Sequence, residues 1–168
     1  MVDARHTAIT VLNAVDQREK TLDRVLRALP QDEDYLSRRD RALLNAMVYG
    51  VLRWRARLDH IIAYFSNIPL RKIQPMVLNI LRLGVFQIIF LDRVPDSAAV
   101  NTSVELAKQM NSSRASGFVN ALLRKAACGG RARGAAPPGS SQPHRRRKHD
   151  LVPGACWEGL RPHRWVKF

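Results

Sequence analysis

Gln74–Leu91 reads QPMVLNILRLGVFQIIFL. Apolar residues cover nearly the whole helical wheel, and only Asn79, Arg82 and Gln87 form a thin polar stripe. A helix that is apolar almost all round is a buried one. The polar interruptions argue against a membrane span, and Pro75 suits a first helical turn. The stretch therefore predicts a helix ending at about Leu91 and lying at the centre of a helical bundle.

Helical periodicity continues on both sides. Asp3 is a candidate cap for a first helix, with Ala4, Ala8, Val11, Leu12 and Val15 on its apolar stripe and Arg5 and His6 off it. Thr21 opens a second, carrying Leu22, Val25, Leu26 and Leu29, which Pro30 and an acidic loop interrupt. Ser37 caps a third, richer segment from Leu43 to Leu52, which either continues as one helix through Phe65 or breaks into two. Pro95 and Ser97 mark the entry to the next helix, and Ser116 is the expected cap of the last. No stretch alternates with a period of two, and no Asn-Gly or Asp-Gly hairpin turn occurs. The prediction is all-α, with six to seven helices over residues 1–128. Gly50 and Gly84 sit inside helical patterns among large apolar residues. Each costs roughly 1 kcal/mol against Ala, and close helix–helix approach is the expected compensation.

The 168 residues carry 28 Lys and Arg against 14 Asp and Glu, a net charge of +14. Such a balance favours an anionic partner, nucleic acid before membrane. Composition divides the chain. Residues 1–128 hold three Gly and four Pro; residues 129–168 hold six and five, and lack apolar periodicity. Each part carries +7, so the second is far denser in charge. It is expected to be a disordered Arg/Gly/Pro-rich tail. Its Arg, Gly, Pro, His and Trp usage also resembles out-of-frame, GC-rich translation; a genuine basic RNA-binding tail is the other reading. Cys128 and Cys156 have no metal-site spacing and imply a reduced, cytoplasmic protein. The N-terminus carries charge throughout and has no secretory-signal core.

No Ser–His–Asp set, paired carboxylate face or HExxH motif is present, and GGRARGAAPPG follows no strand. The sequence predicts no catalysis, no cofactor and no metal. Among the basic residues, Arg53 and Arg57 flank Trp54, which is read as half-buried packing before base stacking. Arg38, Arg39 and Arg41 oppose the dipole at a helix start. They answer either an outside ligand or local acidic residues.

The segment VNTSVELAKQM (Val100–Met110) puts Asn101, Glu105 and Lys108 on one face, opposite Val100, Val104 and Ala107. The following helix carries Phe118, Asn120, Arg124 and Lys125. An aromatic, an amide and cations near one helix–helix loop suit single-stranded RNA. Taken with SGFVNALLRKA, LNILRLGVFQIIFLDRVP and DRALLNAMVYGVLRWRARLDHII, the order and spacing resemble the NusB-type RNA-binding domain over about residues 3–127. Two branches share this domain: stand-alone antitermination factors, and the N-terminal part of RsmB-type rRNA cytosine-5 methyltransferases. FVNALLRKA and ARHTAITVLNAV are closer to the second.

The resemblance implies a double three-helix bundle and an RNA-facing surface of Arg5, His6, Asn101, Lys108, Phe118 and Asn120, with Arg114 and Arg124 as neighbours. It implies rRNA or a leader RNA as partner, the latter together with a small-subunit ribosomal protein, and no membrane. There are departures. Thr102 and Ser103 stand where the family often has Glu-Ala, and Arg5 lacks adjacent arginines. The S-adenosylmethionine domain of the methyltransferases, with its Pro-Cys and Thr-Cys contexts, does not follow. The reading is an RNA-binding module from a truncated rRNA methyltransferase. A stand-alone antitermination factor is the alternative, and a protein-interaction domain with Glu105 and the acidic loop facing a basic partner is the third.

Overall fold

The computed structural model describes residues 3–17, 21–30, 32, 35–110 and 112–131. The expected disorder of residues 129–168 falls, from residue 132 on, outside the described residues, as does Cys156.

Gln74–Leu91 becomes helix α5 (Pro75–Phe90), with Pro75 in its first turn. Val77 and every residue from Asn79 to Gln87 are buried. Around it stand α1 (Ala4–Asp16), α2 (Leu22–Arg27), α3 (Arg38–Arg53), α4 (Arg55–Phe65), α6 (Asp96–Gln109) and α7 (Ser116–Arg131), with short 3-10 turns at Leu70–Lys72 and Ser113–Ala115. There is no strand among the described residues. α1, α3 and α5 pack mutually, and α2 leans on α1. α4 and α6 pack on other sides of α5, and Leu123 of α7 meets it at Gly84. The two helix groups thus share α5, which is why its sequence is apolar almost all round. No helix among the described residues is long and apolar enough to cross a membrane.

The two intrahelical glycines are contact points. A Cβ on Gly50 would lie 2.1 Å from the Phe86 ring. One on Gly84 would lie 2.7 Å from Leu123 and 2.8 Å from the Ser103 hydroxyl. Ser103 is itself fully buried and donates to the Ala99 carbonyl at 2.8 Å, so a small residue sits where α5, α6 and α7 converge.

Caps and breaks follow local chemistry. Asp3 accepts from the Arg5 N–H and Ser37 from the Asp40 N–H, as expected of N-caps. Thr21 occupies the cap position of α2 without a side-chain bond; α2 ends at Arg27, short of the expected Leu29, and buries none of its residues. The third segment is two helices broken at Trp54, whose ring stacks on Phe90 at 5.5 Å. Ser116 is no cap: a 3-10 turn precedes it, and its hydroxyl donates to the Ser113 carbonyl at 2.6 Å. α7 runs to Arg131, three residues past the expected boundary, with Gly129 facing Phe65.

Candidate functional site

The polar residues of α5 lie on its seam with α1, which runs in the opposite sense: Arg5 meets Gln87 and Asn13 meets Asn79. Burial of polar groups requires partners, and here they form a ladder. Asn79 Nδ2 donates to Asn13 Oδ1 at 2.8 Å and to Asp16 Oδ2 at 3.0 Å. Arg82 grips Asp59 of α4 through Nε (2.6 Å) and Nη2 (2.8 Å), and its Nη1 reaches Asn79 at 2.9 Å and Asp16 at 3.5 Å. Arg55 closes the cluster on Asp16 at 2.6 Å. Every buried side-chain polar atom among the described residues has a partner.

At the far end of the seam Arg5 Nε donates to Gln87 Oε1 at 2.8 Å. Gln87 lies one helical turn beyond Gly84, so the first turn of α1 is held close to where α6 and α7 converge. His6 follows Arg5, half-buried. Asn101, Glu105 and Lys108 are exposed on α6, opposite buried Val100 and Ala107, and Lys108 pairs with Glu105 at 2.8 Å. Arg114 is exposed in the 3-10 turn before α7, while Phe118 and Asn120 are half-buried in that helix's first turns. Arg124 is exposed and donates through Nε to Asn120 at 3.0 Å. Of the expected site residues, only Asn120 and Arg124 are bonded to one another. From Leu106 to Lys125 the chain has Lys108, Arg114, Arg124 and Lys125 and no acidic residue.

Other basic residues are used internally. Arg41 donates to the carbonyls of Pro30, Asp32 and Leu36 at 3.2–3.4 Å, so the cation at that helix start staples the preceding loop. Trp54 is half-buried, with the Arg53 and Arg57 guanidinium carbons 5.9 and 5.5 Å from its ring centroid. Among the described residues no three His, Cys, Asp or Glu gather to hold a metal. Sequence reasoning missed Asn13, Asp16 and Asp59. The available signal was the buried polar stripe of α5, which demanded partners without saying which.

Residues 2–128 match the NusB family model. The chain is 37% identical over 129 residues to a probable ribosomal RNA small subunit methyltransferase B of Synechocystis, covering 74% of this chain and 28% of that protein. It spans only about a quarter of the length of such methyltransferases; the Bacillus subtilis one is covered over 26%. It is 32% identical over 127 residues to the transcription antitermination protein NusB of Ruminiclostridium cellulolyticum, covering 75% of this chain and 87% of that one. In fold it is similar to T. maritima NusB (TM-score 0.66, 20% identity, 76% of this chain and 92% of that). It is similar too to a chain in the crystal structure of the antitermination factors NusB and NusE with double-stranded RNA (TM-score 0.67, 24% identity, 76% and 95%). Matched by the family model from residue 2 to residue 128, this chain belongs to the NusB family.

Proposed function

We propose that residues 1–128 form an RNA-recognition domain that performs no chemistry itself and serves the recognition of rRNA, in the manner of the N-terminal part of an rRNA cytosine-5 methyltransferase. The observation that carries this reading is the run of cations from the end of α6 through α7: Lys108, Arg114, Arg124 and Lys125 are exposed, with no carboxylate between Leu106 and Lys125, and Lys108 alone of them is ion-paired, with Glu105 at 2.8 Å, among the contacts of the described residues. Asp16 and Asp59, two of the body's acidic residues, are matched one for one by Arg55 and Arg82, so the net +7 of residues 1–128 stays with the remaining side chains. Phe118 offers an aromatic face and Asn101 and Asn120 offer amides, the groups that read unstacked bases. The greater identity to the methyltransferases supports that branch. Coverage of 87% of a stand-alone NusB supports a second reading, an antitermination factor that binds a leader RNA with a small-subunit ribosomal protein. Either role places the protein in the cytoplasm with its RNA.

Fluorescence anisotropy of the full chain with a single-stranded rRNA fragment tests the proposal. If about four phosphates are neutralised, the salt exponent is about 2.8 and a fourfold rise in salt weakens binding about fifty-fold. Lys108→Glu and Arg124→Glu lower affinity across RNA sequences, as phosphate contacts do. Unchanged affinity in both variants would show that the RNA surface is not on α6 and α7.

A further inference from the structure

Arg82, Arg55 and Arg5 each bond to a polar side chain of α1 or α5, and they are held in two ways. Arg82 and Arg55 are bound by the carboxylates of Asp59 and Asp16 at 2.6 Å, so each cation is matched by an anion. Arg5 is bound by an amide. Its Nε donates to Gln87 Oε1 at 2.8 Å. Gln87 is fully buried, and its Nε2 donates to the Leu83 carbonyl at 3.3 Å, which fixes the orientation of the amide. An amide oxygen accepts a hydrogen bond but brings no net charge. The bond to Gln87 therefore takes freedom from Arg5 without cancelling any of its charge. The nearest carboxylate, Asp3, stands 3.9 Å from Nη1, is half exposed, and already accepts the Arg5 backbone N–H as the N-cap of α1. A solvated contact of that length neutralises little. The Arg5 side chain retains 21% exposure, and among the described residues no hydrogen bond occupies its Nη edge. That two-pronged edge matches a phosphate.

We infer that Gln87 is a positioning residue for RNA backbone recognition, presetting Arg5 as an oriented cation, only weakly compensated by exposed Asp3, for one phosphate. This rests on the RNA reading above. The choice of amide is the substance of the inference. A carboxylate at position 87 would anchor Arg5 as firmly and cancel the charge that the phosphate reads. A rotamer-rich side chain held in place beforehand loses less entropy on binding.

The test uses full chains carrying Gln87→Glu, Gln87→Met, Arg5→Ala and the double variant Arg5→Ala/Gln87→Met, with a 12-nucleotide single-stranded RNA of mixed sequence as probe. Gln87→Glu keeps the helical circular dichroism and weakens binding about tenfold, the worth of one charge-assisted contact. Its salt exponent falls by about 0.7. Gln87→Met weakens binding in the wild-type background and has no effect once Arg5 is Ala. Gln87→Glu binding as tightly as wild type overturns the inference, as does Gln87→Met weakening binding equally in both backgrounds. If Arg5→Ala leaves affinity unchanged while Lys108→Glu and Arg124→Glu reduce it, the RNA reading stands and the role of Gln87 falls. If no variant changes affinity, both fall.

Discussion

Arg82 shows how much one side chain can be asked to hold. It is 4% exposed and bonds α4 and α1 to α5 through Asp59, Asp16 and Asn79. Its pairing with Asp59 is not a large net gain, because both ions are desolvated. Removing one partner is another matter, since it strands the other's charge. Arg82→Met is expected to lower stability by about 3–5 kcal/mol, measured by urea denaturation, and Asp59→Leu in the same chain should restore part of it. Additive losses in the double variant would show that the two residues are not coupled. Gly50 makes the complementary point with no side chain at all. Its Cβ position lies 2.1 Å from the Phe86 ring, and the ring is itself stacked on Phe90 at 5.1 Å, so it has little room to yield. Gly50→Ala is expected to cost about 1–3 kcal/mol by overpacking even though alanine favours the helix. A rise in melting temperature would contradict the packing.

Among the helices, α5 and α7 are opposites. α5 is buried on all sides, so its polar residues speak to other helices. α7 is amphipathic, with Val119, Leu122, Leu123 and Ala126 buried and Arg124 and Lys125 exposed. Phe118 lies between those faces, half-buried. If it serves as a stacking platform, Phe118→Ala weakens single-stranded RNA binding by about 1–3 kcal/mol with helical content and melting temperature retained. Loss of the fold instead would mark it as packing. At the other end of the chain, Ser37 caps α3 through the Asp40 N–H, and Asp40 Oδ2 accepts from the Ser37 hydroxyl at 2.7 Å. Ser37→Ala is expected to cost about 1 kcal/mol in chemical denaturation; no change would mean that the reciprocal bond is idle.

Across the whole body, stability should be graded by distance from α5. The residues Val77 and Asn79–Gln87 share buried contacts with every neighbouring group, whereas α2 buries none of its residues. Native-state hydrogen exchange is expected to find the slowest amides in the middle of α5 and fast exchange through Leu22–Arg27, since local opening follows local burial. Equal protection of the two would show that α2 is bound into the core more tightly than its exposure indicates. The shared central helix also means that a defect on the α1 seam reaches the α6–α7 side, because Gln87 and Gly84 are one turn apart on the same rigid element.

Periodicity and composition were enough for the all-α class, the central position of Gln74–Leu91, the caps at Asp3 and Ser37 and the close approach at Gly50 and Gly84. Each of these depends on the spacing of residues along one helix or on the size of one residue, which a sequence states directly. The break at Trp54 was not legible, because the apolar pattern runs through it and the stacking on Phe90 comes from a helix some 36 residues on. Ser116 failed as a cap because a 3-10 turn runs directly into α7 and the Ser116 hydroxyl is spent on the Ser113 carbonyl. The candidate RNA-facing residues came from a family likeness rather than from their own pattern, since exposed polar residues on a surface helix carry little signal. What tertiary structure alone decided is which charges survive. Arg5, Arg55 and Arg82 look alike in the sequence, yet two are held by carboxylates at 2.6 Å while the third is held by an amide, its carboxylate neighbour Asp3 lying 3.9 Å off. Charge neutralisation depends on partners dozens of residues away, and only folding brings them within hydrogen-bonding distance.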